Sequence, residues 1–299
     1  MTGSAMNKFH QALEQAQRDR QESRQASAAN VSPVRTSPQP PVLTRVTRTA
    51  TAPAPTEIPA GVDEHFVSLL TPGAFEAEQY RALRHKIEQM HKRTGLKVIA
   101  VTSATVGDGK TTTAINLAGA LAQAPHARVL LVDADLRHPS VANLLGLHGG
   151  NSPDLVGAIM DPALGLAQVI EERPPFNLSV MPVHQSPSRP YELLKSPRAG
   201  ALLDEARASF DYVIVDAPPL VGIQDYQIIG DWVDGILLVV RAHRTTRRLL
   251  EEAFNVVEPS KVIGLVFNGD DQPRSRYYSR YYAGDERTGA TRRAGSRRR

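Results

Sequence analysis

The sequence contains no cysteine, and this absence removes several classes of protein from consideration. Without a thiol the chain cannot form a disulfide, bind a metal through thiolates or use a cysteine nucleophile. Long apolar runs are also missing, whereas a membrane-spanning helix needs about 20 apolar residues. Residues 1–11 are mostly polar and lack the apolar stretch of a signal peptide. We therefore expect a cytosolic protein.

Positive charge is concentrated at the two ends of the chain. Residues 1–60 contain seven Lys or Arg against four Asp or Glu, and residues 272–299 contain nine Arg against two acidic residues. Because the whole chain carries a net charge of only +4, the part between them is net negative. Basic ends can contact nucleic acid, anionic lipid or acidic partners, and charge alone does not choose among these.

Composition divides the chain into three parts. Residues 7–24 are polar and can form a helix, and residues 25–60 contain seven prolines among Ser, Thr, Ala and Val. Such a segment buries too little apolar surface to offset the entropy lost on ordering. Residues 1–60 are therefore predicted to be disordered. Residues 61–271 are predicted to form the folded domain, and residues 272–299 a flexible tail rich in Tyr and Arg.

Short apolar runs alternate with helical stretches in the middle of the chain. Strands are predicted at Lys97–Thr102, Arg128–Val132, Asn177–Met181, Asp211–Val215, Gly235–Val240 and Lys261–Phe267. Helices are predicted at 74–93, Thr111–Gln123, Arg189–Ser209 and Arg244–Val257. Strands that are apolar throughout and separated by helices indicate an α/β fold with a mostly parallel, doubly wound sheet. Ligands bind beyond the carboxyl ends of the strands in such folds.

A glycine-rich loop joins the first predicted strand to the helix that follows it. Ser103–Thr112 has the spacing of G-x-x-x-x-G-K-[ST], except that Ala104 stands at the first glycine. Glycines let the backbone wrap around phosphate oxygens, and the following helix presents free N–H groups. The lysine neutralises phosphate charge, and the hydroxyl after it can bind Mg²⁺. The predicted ATP-binding residues of this P-loop are Gly107, Asp108, Gly109, Lys110, Thr111 and Thr112.

Acidic residues end two of the predicted strands. One strand is followed by Asp133 and Asp135, with Arg137 two residues further on, and another is followed by Asp216. Buried carboxylates are costly unless a charged group pairs with them, and Mg²⁺ shared with phosphate is such a partner. The alternative for Asp133 and Asp216 is a cap on a helix or turn. The alternative for Asp135 is a local pair with Arg137.

These three segments together resemble the bacterial tyrosine kinases of capsule and exopolysaccharide synthesis. The likeness covers residues 65–282, with Val106 and Asp108 standing where the family often has Pro and Glu. It implies a P-loop tyrosine autokinase that uses MgATP, with Lys110, Asp133, Asp135 and Asp216 as its catalytic residues. The implied metal ligands are Thr111, Asp133 and Asp216. Either Asp133 or Asp135 is implied as the base, Arg137 as a nucleotide contact, and Asn268 as an adenine contact.

Four of the eight tyrosines lie in one short segment after the last predicted strand: Tyr277, Tyr278, Tyr281 and Tyr282. A Tyr and Arg cluster can stack on single-stranded nucleic acid or form a binding patch. Beside the kinase motifs, a phosphoacceptor tail is favoured, and no nucleic-acid partner is expected. The resemblance implies that the tail of one subunit enters a neighbour's site.

Glu78, Arg81 and Arg84 form an E-x-x-R-x-x-R string on the helix predicted at 74–93. We expect them to face away from the apolar stripe of that helix. By themselves they indicate a solvated charged face, whose pairs contribute only a few tenths of a kcal/mol. In the family that the chain resembles, the same string is associated with subunit contacts in a ring. The resemblance therefore implies a homo-oligomer.

Chromosome-partitioning and positioning ATPases share this scaffold and are the rival interpretation. They carry an extra lysine early in the loop, where this sequence has Thr105. That difference favours the kinase, whose substrates are protein tyrosines. Because no spanning segment is predicted, we expect a separate transmembrane activator of polysaccharide export to hold the kinase at the inner face of the plasma membrane. The alternative is binding of the basic ends to anionic lipid.

Overall fold

The computed structural model describes residues 61–147 and 152–269. Its strands are β1 (Val98–Ser103), β2 (Val129–Asp133), β3 (Glu171–Arg173), β4 (Leu178–Met181), β5 (Tyr212–Asp216), β6 (Gly235–Arg241) and β7 (Val262–Asn268). They form one sheet in the order β3-β4-β2-β5-β1-β6-β7. Neighbouring strands are parallel, except for the antiparallel pair β3 and β4. The predicted mostly parallel α/β fold is confirmed.

Helices connect the strands. They are α1 (Val67–Leu70), α2 (Phe75–Thr94), α3 (Lys110–Ala122), α4 (Val141–Leu144), α5 (Leu155–Met160), α6 (Leu166–Val169), α7 (Pro190–Leu194), α8 (Pro197–Ser209), α9 (Asp225–Trp232) and α10 (Arg247–Phe254). A 3₁₀ turn at Pro259–Lys261 precedes β7. Among the residues that the structure describes, no helix combines the length and the apolar character needed to cross a bilayer.

Two apolar clusters cover the two faces of the sheet. One contains residues of α1, α2 and α3 against β1, β2 and β5. The other contains residues of α5, α8, α9 and α10 against the opposite face of the same strands. Every residue of β1, β2 and β5 is buried. This explains why these strands are apolar except at their carboxyl ends, and it confirms the doubly wound arrangement.

The predicted elements occur within three residues of their predicted ends, with the following differences. The stretch predicted as one helix at Arg189–Ser209 is two helices. The hydroxyl of Ser196 caps α8 by accepting from the N–H of Arg198, and Pro197 occupies the first turn. The strand β3 and the helices α1, α4, α5, α6 and α9 were not predicted. The predicted disorder of residues 1–60 and the tail tyrosines lie outside the described residues.

Candidate active site

The phosphate loop connects β1 to α3 at the carboxyl edge of the sheet. Gly107 and Gly109 have φ of 83° and 95°, in the left-handed region that glycine adopts without strain. A Cβ atom at Gly109 would lie 1.9 Å from Nδ2 of Asn268, so a side chain does not fit there. The first intrahelical bond of α3 is donated by the N–H of Thr113 to Gly109. The N–H groups of residues 110–112 therefore form the open N-terminus of a helix, which favours anions.

Lys110 lies between two acids that the sequence singled out. Its Nζ is 2.9 Å from Oδ2 of Asp135 and 3.3 Å from Oδ1 of Asp216. Only 10% of the lysine side chain is exposed. Burial by itself would lower the pKa of Lys110, but the charges of Asp216 and Asp135 outweigh it, so the pKa is raised. The lysine is therefore a fixed positive charge at the mouth of the loop.

The side chain of Thr111 points to the end of β5. Its hydroxyl donates a hydrogen bond of 2.6 Å to Oδ2 of Asp216. A hydroxyl and a carboxylate in contact at the start of α3 are two oxygen donors of the kind that Mg²⁺ prefers. The structure thus brings together Thr111 and Asp216, two of the three predicted metal ligands.

Asp133 uses its two oxygens differently. Oδ2 accepts hydrogen bonds from the N–H groups of Ser140 and Val141, at 3.0 and 3.1 Å, and so caps the short helix α4. Oδ1 is buried and has no hydrogen-bond partner among residues 61–147 and 152–269. Burial and the neighbouring charge of Asp216 raise the pKa of Asp133 well above its usual range. The capping role that the sequence left as an alternative is present, and one oxygen remains for a ligand.

The donor set fits Mg²⁺ when it shares phosphate ligands. The part of the chain that the structure describes contains no group of three or more His, Asp or Glu side chains placed to hold a metal by themselves. Mg²⁺ is commonly bound by one or two carboxylates together with substrate phosphates and water. The free oxygen of Asp133 and the Thr111–Asp216 pair supply that kind of incomplete, oxygen-only site.

Asp135 and Arg137 form separate contacts. Besides its ion pair with Lys110, Asp135 accepts from the N–H of His138 at 3.2 Å. Arg137 donates through two nitrogens to the buried carboxylate of Asp225, at 2.7 and 2.9 Å. The local Asp135–Arg137 pair that the sequence left open is therefore replaced by an Arg137–Asp225 pair. In this arrangement α9 is tied to the loop after β2.

Asp108 is buried, and its carboxylate binds the protein itself. One oxygen accepts from the N–H and hydroxyl of Thr105, at 3.0 and 3.2 Å, and the other accepts from the hydroxyl of Thr245 at 3.0 Å. The Asp108 carbonyl accepts from Nδ2 of Asn268 at 3.0 Å. Among the groups of Asp108, only its backbone N–H is therefore available to a phosphate. Asn268, at the end of β7, therefore lies beside the loop.

The loop between β6 and α10 was missed by the sequence interpretation. Arg241, at the end of β6, donates from Nη1 to the carbonyl of Gly107 at 2.9 Å, and the Arg244 guanidinium lies against the same glycine. Together with Thr245, these residues cover the phosphate loop on the side away from β5. No motif in the sequence marked them, because their role depends on β6 lying next to β1.

The E-x-x-R-x-x-R string on α2 is only partly exposed. Glu78 and Arg81 form an ion pair with each other. Arg84 instead pairs with Glu88 at 2.7 Å and donates to the carbonyl of Ala120 in α3 at 2.9 Å. The expectation that all three residues face away from the core side is wrong for Arg84. At helical spacing, the position seven residues after Ala77 returns to the packed face of α2.

Comparisons with known proteins show which sequences this chain resembles. Residues 96–246 match the family model described as an AAA domain. Over 222 residues the chain is 32% identical to the tyrosine-protein kinase YwqD of Bacillus subtilis, covering 74% of this chain and 92% of YwqD. It is 34% identical over 215 residues to the succinoglycan biosynthesis transport protein ExoP of Rhizobium meliloti, covering 68% of this chain and only 26% of ExoP.

The fold of the chain also resembles a solved structure of a tyrosine kinase domain. The kinase domain of the Escherichia coli tyrosine kinase ETK superimposes with a TM-score of 0.64 at 29% identity. The match covers 78% of this chain and 87% of that domain. The similarity therefore extends over the sheet and the site described above.

Proposed function

The chain belongs to the family of bacterial tyrosine kinases, and on this premise we propose that it transfers the terminal phosphate of ATP to tyrosine hydroxyls. We include among the acceptors the tyrosines of its own tail: Tyr277, Tyr278, Tyr281 and Tyr282. The observation that carries the proposal is the convergence of Lys110, Thr111, Asp133 and Asp216 at one edge of the sheet. These are the groups that phosphoryl transfer requires for charge stabilisation and positioning.

The lysine changes partners when the nucleotide binds. In the structure Lys110 is paired with Asp135 and Asp216. With ATP in the loop, its charge faces the β- and γ-phosphates, and the N–H groups of residues 107–112 surround them. Thr111, Asp133 and Asp216 would hold Mg²⁺ together with the phosphates, and the ion would supply positive charge that offsets the charge of the phosphates and of the two acids.

The acceptor hydroxyl is assigned to the neighbourhood of Asp133 and Asp135. Asp135 is released when Lys110 turns to the phosphates, and Asp133 keeps one oxygen without a protein partner among the described residues. In the proposed step the tyrosine proton passes to whichever of these two carboxylates is not bound to Mg²⁺, and the tyrosine oxygen forms a bond to the γ-phosphorus. The bond from that phosphorus to the β–γ bridging oxygen breaks, and ADP leaves.

A positioning ATPase is less well supported by the loop. Its distinguishing lysine would stand at Thr105, but here both the N–H and the hydroxyl of this residue bind Asp108 within the same loop. No cation is therefore presented to a neighbouring subunit from this position. An assay that separates the two functions measures ATP turnover and phosphotyrosine together, in the wild type and in Lys110→Met. We expect phosphotyrosine in the wild type alone; turnover without phosphotyrosine would favour the ATPase.

We further propose that the kinase acts at the inner face of the membrane through a separate membrane protein. The relative ExoP supports this, because the matched region is about a quarter of that transport protein. Vesicles containing anionic lipid provide the test. Salt-sensitive binding of the purified chain to them would assign membrane contact to its basic ends instead.

A further inference from the structure

The loop between β6 and α10 is fixed onto the phosphate loop by a set of hydrogen bonds. The Thr245 hydroxyl accepts from the N–H of Arg241 at 2.9 Å and donates to the buried carboxylate of Asp108 at 3.0 Å. Arg241 donates to the carbonyl of Gly107 at 2.9 Å. His243 turns the chain between them with φ of 61°. The β6–α10 loop therefore has a defined position relative to the phosphate loop, and so relative to the phosphates of a bound nucleotide.

Arg244 occupies the open side of Gly107. A Cβ atom at this glycine would lie 3.0 Å from Nη1 and 3.4 Å from Nη2 of Arg244, so the guanidinium rests directly against the glycine backbone. The arginine is exposed, and its guanidinium has no acceptor or carboxylate partner among residues 61–147 and 152–269. In contrast, Arg247 and Arg248 on α10 pair with Glu251 and Glu252. Arg244 thus presents free donors at the edge of the phosphate loop.

The positions of the acids define how a nucleotide lies in this site. Asp133 and Asp216 end β2 and β5, on one side of β1, and Lys110 and Thr111 point toward them. The terminal phosphate and its metal belong on that side. Since β6 and β7 lie on the other side of β1, the nucleoside end of the nucleotide extends toward them, past Gly107.

We propose that Arg244 binds the nucleotide directly, through the phosphate nearest the ribose. This inference rests on the proposed function, because it assumes that the loop holds ATP and ADP. A planar guanidinium with free N–H groups is suited to phosphate oxygens. The contact is common to ATP and ADP, whereas the groups near β5 distinguish the terminal phosphate. Arg244 therefore contributes to the affinity of both nucleotides and not to the transfer step.

Equilibrium dissociation constants of ATP and ADP for the full chain, measured by calorimetry with Mg²⁺, test the proposal. Arg244→Gln is compared with the control Arg248→Gln, which removes the same charge from an exposed arginine of α10. We expect Arg244→Gln to weaken both nucleotides by about tenfold, the size of one lost charge-assisted hydrogen bond. The control should stay within twofold of the wild type.

Two results would overturn the inference. Unchanged affinity of Arg244→Gln for both nucleotides would exclude a direct contact, and weaker ATP binding with unchanged ADP binding would place Arg244 at the terminal phosphate. Failure of the proposed function gives a different result. A wild type that binds both nucleotides but phosphorylates no tyrosine would contradict the kinase and leave the comparison of Arg244 with Arg248 valid.

Discussion

Asp133 and Asp216 are register partners at the carboxyl ends of neighbouring strands, so two buried carboxylates lie side by side. Lys110 and Thr111 contact Asp216, but one oxygen of Asp133 has no partner among the described residues. Two ionised carboxylates buried side by side cost free energy through desolvation and mutual repulsion. The arrangement is therefore suited to binding a divalent cation with phosphate rather than to stabilising the fold.

Asp133→Asn is expected to stabilise the ligand-free protein by about 1 kcal/mol at neutral pH. The amide oxygen can still accept from Ser140 and Val141, while the repulsion from Asp216 is removed. Because the folded-state pKa of Asp133 is raised, its proton stabilises the wild type below about pH 4. That contribution is lost as pH rises through the raised pKa, so the difference in free energy of unfolding between Asp133→Asn and the wild type should grow with pH.

Urea unfolding of both proteins from pH 4 to pH 8 measures this difference, and Asp161→Asn, on an exposed aspartate, is the matched control. The same Asp133→Asn protein should lose its stabilisation by MgATP. If Asp133→Asn were less stable than the wild type at neutral pH without ligand, the carboxylate of Asp133 would not be a net cost to the ligand-free fold, and the interpretation would be wrong.

Lys110→Met is expected to abolish phosphotransfer and also to destabilise the ligand-free fold by about 3 kcal/mol, because it leaves Asp135 and Asp216 without their cation. The double variant Lys110→Met with Asp135→Asn should recover part of that stability and none of the activity. Thermal unfolding and phosphotyrosine detection on the same samples separate the two effects. Full autophosphorylation by Lys110→Met would show that the lysine assignment is wrong.

The two arginines of the α2 string are expected to behave differently. If the string forms a subunit contact, Arg81→Ala should lower the molecular mass in solution and change the monomer's stability by less than about 1 kcal/mol, because its contacts with Glu78 and the Pro72 carbonyl lie at the surface. Arg84→Ala should mainly lower stability, by about 1 to 2 kcal/mol, because its guanidinium binds Ala120 and Glu88 within the same subunit. Light scattering and urea unfolding measure the two quantities.

Arg93→Ala near the end of α2 serves as a control for loss of charge on the same helix. If the wild type and Arg81→Ala had equal molecular masses over a range of concentrations, Arg81 would not be part of a subunit contact. An unchanged unfolding midpoint for Arg84→Ala would contradict the packing role of Arg84.

Sequence pattern predicted the sheet and the loop because both depend on local signals. The buried strands are apolar except at their carboxyl ends, and Gly107 and Gly109 stand where the backbone takes a positive φ. The acids were predicted to lie together because parallel strands end at one edge of the sheet. The pairing and register of β2 and β5, which no local sequence pattern gives, make Asp133 and Asp216 direct neighbours.

Contacts between distant elements were not predictable in the same way. The pairing of Arg137 with Asp225 joins residues 88 positions apart, and the bond from Thr245 to Asp108 spans 137 positions. Both depend on which loops meet at the edge of the sheet, and strand order is not encoded in a local motif. The packed position of Arg84 was missed for a related reason, since a long charged side chain can cover a neighbouring helix while its head binds a carbonyl.

The central claim is tested most directly by the intact mass of the purified chain after incubation with MgATP. The wild type is compared with a variant in which four tyrosines become phenylalanine: Tyr277, Tyr278, Tyr281 and Tyr282. The control changes Tyr191 and Tyr226, which lie in the folded domain, to phenylalanine. We predict added phosphates in the wild type and the control and none in the tail variant. ATP turnover with no added phosphate on any of the three proteins would contradict a tyrosine autokinase.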